Sequence, residues 1–424
     1  MKNICFCFQM HVPYRLKRYR FFEIGQDHYY YDDMTTEDYV SWMVNTSYLP
    51  LCRTLSEMIR LSKHKFHCAL AISGTTLELF EQYTPEMIDV LKELAASKCV
   101  EFPIVPYAYS LSAQCNESEL DDQLAKHAAK LQDLFSVSSN TLWNTCLLYS
   151  DEIAGHAFQL GYKNLMGEGA KHILSWKSPN YMYQTCVSPK QHLLLRNAAL
   201  SDGLSFHFSD TNWPDYPMDA EKFVAKMAAL PEEEELINLW MGAESFGIWQ
   251  NAGTGIFDFL KALPYYALEQ NMVFVTPGEA AKKMPAKDTI VAPYAVTWAG
   301  EGKDLSTFLG NDLQQEAVNK LYAVTERVHL CQDSQLKADW LILQDVNYLH
   351  YMNHIDQGST TFESAYDAFI NYMNILSDFL QRVDEQYPTT IENEELNALL
   401  KTINNQEKEI ADLQAQIRVL KKKK

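Results

Sequence analysis

A chain of 424 residues, 47% of them hydrophobic, is long enough for one large domain plus an accessory piece and can bury a substantial core. Its formal charge of −19 leaves no basic footprint for phosphate backbones or anionic lipid, the lysines at 421–424 being a local exception, so neither nucleic acid nor membrane is expected as a partner. Nine cysteines without a CxxC pair or regular spacing argue against a disulfide framework or zinc ribbon and point to reduced thiols in the cytoplasm, and neither metal nor cofactor is expected.

The chain opens on a short apolar run, Ile4 to Met10, that lacks a cleavage site and reads as a first buried strand. Similar runs recur at Phe66 to Ile72, Val100 to Val105, Leu236 to Met241 and Met272 to Val275. None approaches the about 18 residues of a membrane span. Between them lie helical patterns with clear starts, such as Thr84-Pro85-Glu86 and the capping box Thr276-Pro277 to Glu279. Strands alternating with helices predict an α/β chain built on a parallel sheet or barrel over residues 1–300.

From Asn311 to Arg382 amphipathic helical patterns replace the strand signals, which predicts a helical subdomain over 301–388 packed on the barrel. The tail, 389–424, carries Leu396, Leu399, Ile403, Gln406, Ile410, Leu413, Ile417 and Leu420 on alternating steps of three and four. That is the seam of a coiled coil, and Ile facing one seam position with Leu at the other favours a parallel homodimer through residues 392–420. A single helix lying on the body satisfies the same pattern.

In a parallel barrel the working residues follow the strands, and of the residues just after the apolar runs only His11 and Glu244 are strong polar groups. The 24 Tyr and 8 Trp suit a sugar-stacking cleft and equally an ordinary core. A glycosidase needs two carboxyl groups flanking the scissile bond. Candidates beside apolar runs are Asp151, Glu152, Glu168, Asp202, Asp210 and Glu244. Asp151 and Glu152 read as first-turn helix charges, and Glu168 between Gly167 and Gly169 reads as a tight turn. No phosphate-binding glycine loop, HExxH pair or GxSxG elbow is present.

The run Phe8 to Tyr19 (FQMHVPYRLKRY) resembles the opening motif of glycoside hydrolase family 57, with Val12 where the family has Gln. Further segments resemble the family at Arg20 to Tyr31, Gly167 to Tyr181, Leu193 to Asp210, Leu236 to Trp249, Gly255 to Pro264 and Tyr366 to Phe379, spanning about residues 1–386. The resemblance implies an incomplete (β/α)7 barrel followed by helices. It also implies α-glucan chemistry of the α-amylase type, with retention, through a Glu nucleophile and an Asp acid/base.

Both carboxylates are replaced where the motifs match. The nucleophile segment reads Asn144-Thr145-Cys146-Leu147, placing Cys146 at the Glu, and the acid/base segment reads Gly242-Ala243-Glu244-Ser245-Phe246-Gly247, placing Gly242 at the Asp. A third segment has Val105 and Tyr109 for a polar Glu and His. The resemblance therefore implies a catalytically silent relative that binds α-glucan or maltooligosaccharide through His11, Glu168, Trp249 and Trp298. Asp210 and Glu244 are the substitutes if activity survives as a retaining hydrolase or 4-α-glucanotransferase. A third possibility is a non-enzymatic scaffold acting through its coiled coil.

Overall fold

Residues 3–10 are hydrophobic at nearly every position, a pattern suited to a strand covered on both faces rather than to a half-exposed one. In the computed structural model, which describes residues 1–353, 362–387 and tail positions 399, 402, 403, 405, 406, 410 and 413, this segment is β1 (Asn3–Met10), buried from Ile4 onward. It pairs in parallel with β2 (Cys68–Ile72) and, further along the chain, with β8 (Leu236–Gly242) and β9 (Val273–Phe274). β3 (Val100–Glu101) extends the sheet beyond β2.

A second sheet contains β4 (Thr141–Trp143), β5 (Asn164–Glu168), β6 (Tyr183–Thr185), β7 (His192–Arg196) and β10 (Asp288–Ile290), in the order β10-β6-β7-β5-β4. Single-residue links join the two sheets. Ile104 bridges to Leu142 beside β4, and on the other side Asn197 N donates to Asn238 O at 2.9 Å while Asn238 Nδ2 donates to Leu195 O at 2.8 Å. The strands β8, β1, β2, β3, β4, β5 and β7 thus form an incomplete (β/α)7 barrel. The strands expected at 4–10, 66–72 and 236–241 appear with slightly shifted ends, those at 100–105 and 272–275 shorten to two residues each, and the capping box at Thr276 is present.

The barrel strands are followed by helices that bury one face, such as Pro85–Ala96 through Met87, Ile88, Leu91 and Leu94. Ring stacking continues the core, with Phe6 and Phe8 5.7 Å apart and Phe66 4.9 Å from Phe274. The compact unit holding this barrel comprises Met1–Arg15 and Asp32–Thr307.

The other unit comprises Leu16–Tyr31 and residues from Phe308 onward, so the loop after β1 is grouped with the helices rather than with the 1–300 segment expected to hold it. Among its described residues after Phe308 there are helices and no strand, the longest being Ala365–Gln386. The loop is tied to that helix by polar contacts. Buried Asp378 accepts from Gly25 N at 2.6 Å, Tyr30 Oη at 2.6 Å and the His28 ring at 2.9 Å, and Arg382 reaches Tyr30 Oη at 3.0 Å and Asp339 Oδ2 at 2.7 Å. Tyr31 Oη completes the link to Asp339 at 2.8 Å.

In the tail, seam positions Leu399, Ile403, Gln406, Ile410 and Leu413 are helical, and Leu396, Ile417 and Leu420 lie outside the described residues. Among the described residues no helix is long and apolar enough to cross a membrane.

Candidate active site

Parallel strands bring their carboxyl ends to one end of a barrel, so His11, Ser73, Glu168, Arg196 and Gly242 share that end. His11 Nδ1 is 2.8 Å from Ser73 Oγ, which donates to Thr76 Oγ1 at 2.8 Å, and this hydroxyl accepts from Val12 N at 2.8 Å. The imidazole is therefore held by the start of the helix Gly74–Tyr83. Its other neighbour is Tyr109, stacked at 4.3 Å with 24° between planes.

Tyr109 connects His11 to the position where the resemblance puts a nucleophile. Its hydroxyl accepts from Cys146 N at 3.1 Å and lies 3.8 Å from Cys146 Sγ. Tyr109, Cys146 and Leu147 all have left-handed backbone, at φ of 53°, 50° and 56°. For residues with a Cβ this conformation is costly, and such strain gathers at functional sites. Trp298 N donates to Cys146 O at 2.9 Å, which brings the half-buried Trp298 to the same cluster.

If β8 continued past Gly242, Glu244 two residues on would point to the same face as residue 242. Instead β8 ends at Gly242 and the chain turns through Ala243–Ser245. The turn closes at Gly247, whose φ of 109° and near approach to Thr46 O, 2.0 Å from where a Cβ would stand, leave room only for glycine. The Glu244 side chain folds back over Gly242, its Oε2 2.5 Å from the position a Cβ would take there. Tyr48 Oη donates to Oε1 and sits 3.3 Å from His11 O. Burial raises the Glu244 pKa, against the opposing hydrogen bond of Tyr48 and the charge of His11. The Tyr48 and Tyr109 phenols are pushed well up by burial, so both act as neutral donors.

Glu168 is not in a tight turn; it is the last residue of β5, and it is fully buried. Its Oε2 meets Arg196 Nη1 at 3.2 Å, Arg196 Nε donates to Trp240 O at 2.7 Å, and Nη2 bonds Asp202. Burial raises the Glu168 pKa, with Arg196 pulling it back. The guanidinium lies 5.7 Å from the centre of the Trp298 ring. Asp210, in contrast, belongs to its own turn, accepting from Asn212 N at 2.9 Å and lying 3.9 Å from His207. Among the described residues no hydrogen bond or ion pair joins it to the cluster. Asp151 and Glu152 occupy the first turn of the helix Asp151–Gln159, as expected.

Three participants escaped sequence reasoning. Tyr48 lies in a π-helical turn, 196 positions from Glu244. Phe206 lies in another, stacked 5.0 Å from Trp249, the aromatic whose ring edge comes 3.7 Å from the Gly242 Cβ position. Arg196 ends the apolar run Leu193 to Leu195 and was within reach of the rule that found His11.

The barrel is shared with solved structures at low identity, which bears on fold alone. A glycoside hydrolase 57 branching enzyme from Thermococcus kodakaraensis superposes with a TM-score of 0.68 at 14% identity over 94% of both chains. The alpha-amylase AmyC from Thermotoga maritima gives 0.63 at 12% over 95% of this chain and 97% of that one. A Methanocaldococcus jannaschii protein provisionally named an alpha-amylase is 29% identical, over 90% of this chain and 85% of its own length. The model for glycosyl hydrolase family 57 matches residues 5–293, and the chain belongs to that family.

Proposed function

We propose that this family 57 protein works in carbohydrate metabolism as a catalytically silent α-glucan binder. The observation that carries the reading is the pair Cys146 and Gly242 at the ends of β4 and β8. A retaining mechanism needs a nucleophilic carboxylate on one side of the anomeric carbon and a carboxylic acid on the other. A thiol enclosed by Tyr109 at one of those positions and a hydrogen atom at the other supply neither, and loss of such groups removes orders of magnitude in rate. Groups suited to binding remain in His11 with its fixed ring and the aromatic faces of Trp249 and Trp298, while the buried Glu168–Arg196 pair can act only through its neighbours. Isothermal titration with maltoheptaose tests this; saturable binding is expected, and absence of heat at any practicable concentration would favour the scaffold reading.

An active α-amylase or 4-α-glucanotransferase is the second reading, supported by the raised pKa of Glu244, which suits a general acid. It needs a second carboxyl group, and the turn-bound Asp210 is a poor source of one. Two further features belong to this proposal. The helical, exposed Leu399, Ile403, Ile410 and Leu413 favour a homodimer through the tail, which sedimentation of an I403D/I410D variant as a monomer would bear out. The nine free cysteines favour the cytoplasm.

A further inference from the structure

In most chains a glycine at a strand end leaves a hole, yet here the space over Gly242 is filled. The Glu244 carboxyl lies in it, one oxygen held by Tyr48 and the other, Oε2, over Gly242, where the edge of Trp249 comes 3.7 Å from the same Cβ position. Only a residue without a Cβ permits this, since a methyl at 242 would stand 2.5 Å from Oε2. The lack of a Cβ at 242 and the placement of the Glu244 carboxyl are thus linked.

Beside that carboxyl stands an aromatic platform. Phe206 and Trp249 stack 5.0 Å apart with 28° between planes, and both are about half exposed, at 53% and 47%. Two exposed aromatic rings normally lose by staying ordered in water. Here the segments that carry them are linked through flanking residues: Ser245 Oγ donates to Ser205 Oγ at 2.9 Å, and Gln250 Nε2 donates to Ser205 O at 3.0 Å. Phe206 also sits in the π-helical turn Gly203–His207, an irregularity found frequently at functional sites. A flat apolar face bordered by a carboxyl oxygen fits a pyranose ring, which offers C–H groups to the face and hydroxyls to the oxygen.

We infer that Phe206, Trp249 and the Glu244 carboxyl lodged over Gly242 form a glucosyl-binding subsite, in which the space of the family's acid/base has become a place for holding sugar. The inference rests on the glucan-binding reading above and specifies where the ring lies. A sugar hydroxyl donates to Glu244 Oε2 while the ring stacks on Trp249 and Phe206. Burial raises the Glu244 pKa, and in either protonation state the carboxyl keeps an oxygen that can accept from a sugar hydroxyl.

The test is titration calorimetry with maltoheptaose on the full-length protein, wild type against G242A and F206A, with circular dichroism to confirm folding. G242A keeps the carboxyl and displaces it; F206A removes an exposed ring at little risk to the fold. Each is expected to weaken binding by about tenfold, the scale of one hydrogen bond to a charged or polar partner or one ring contact. Wild-type binding that both variants retain unchanged would overturn the subsite while leaving the glucan-binding reading in place. Failure of the wild type itself to bind would overturn both.

Discussion

The Oε2 atom of Glu244 lies 2.5 Å from the point where a side chain at Gly242 would begin. The two positions compete for one volume. On the proposed reading of Gly242 as the acid/base position, an aspartate placed there therefore does not by itself supply an acid/base. G242D is expected to force Glu244 from its bond with Tyr48 and to lower stability by about 1–3 kcal/mol, the usual cost of adding atoms to a space already filled. Urea unfolding of G242D and of G242D/E244A measures this, and the double variant is expected to recover most of the loss.

Glu244 makes stability depend on pH in a definite direction. Its pKa is raised in the folded protein above the model value of 4.5, so folding binds its proton. Stabilisation from this group is complete below the unfolded value and is lost as pH rises through the folded one. E244Q removes the effect while leaving Tyr48 an acceptor. It is expected to melt above the wild type at neutral pH, with the gap closing as pH falls towards 4.5, in paired thermal scans across that range.

Arg196 serves two carboxylates and a backbone carbonyl from a nearly closed position. Replacing it with methionine leaves Glu168 buried without its cation, a change that costs about 3–5 kcal/mol in comparable buried pairs. R196M/E168L is expected to be less harmful than R196M alone, because the stranded charge is gone. Chemical denaturation of the two variants decides the order.

In the helical unit, Asp378 gathers the loop Leu16–Tyr31 by accepting from Gly25 N, Tyr30 Oη and His28. D378N turns donors towards donors and is expected to cost about 2–3 kcal/mol, the scale of hydrogen bonds to a charged group. Limited proteolysis reads the effect locally, with new cleavage in 16–31 preceding cleavage elsewhere.

Much of the barrel is written into the chain, and the reason is burial. β1, β2 and β8 are covered on both faces, so their residues form continuous apolar runs that periodicity finds. β4 to β7 run for only three to five residues and include Asn164, Glu168, Gln184 and Arg196, each of which bonds to a residue distant in sequence. Such strands have no local signature. The site divides in the same way: His11 and Glu244 come just after long apolar runs and are legible from position, Cys146 and Gly242 are singled out only by the family resemblance, and Tyr48 and Phe206 come from helices and enter through tertiary contact. The backfolding of Glu244 was equally hidden, because it depends on a turn that a continuing strand would not have made.

The central claim is that this barrel holds glucan without cutting it. Chromatography of maltoheptaose after prolonged incubation with the purified protein tests that claim directly. The account predicts a single unchanged peak under conditions where calorimetry records binding. Shorter or longer oligosaccharides that vanish in E244Q would contradict it and make Glu244 the acid of a working enzyme.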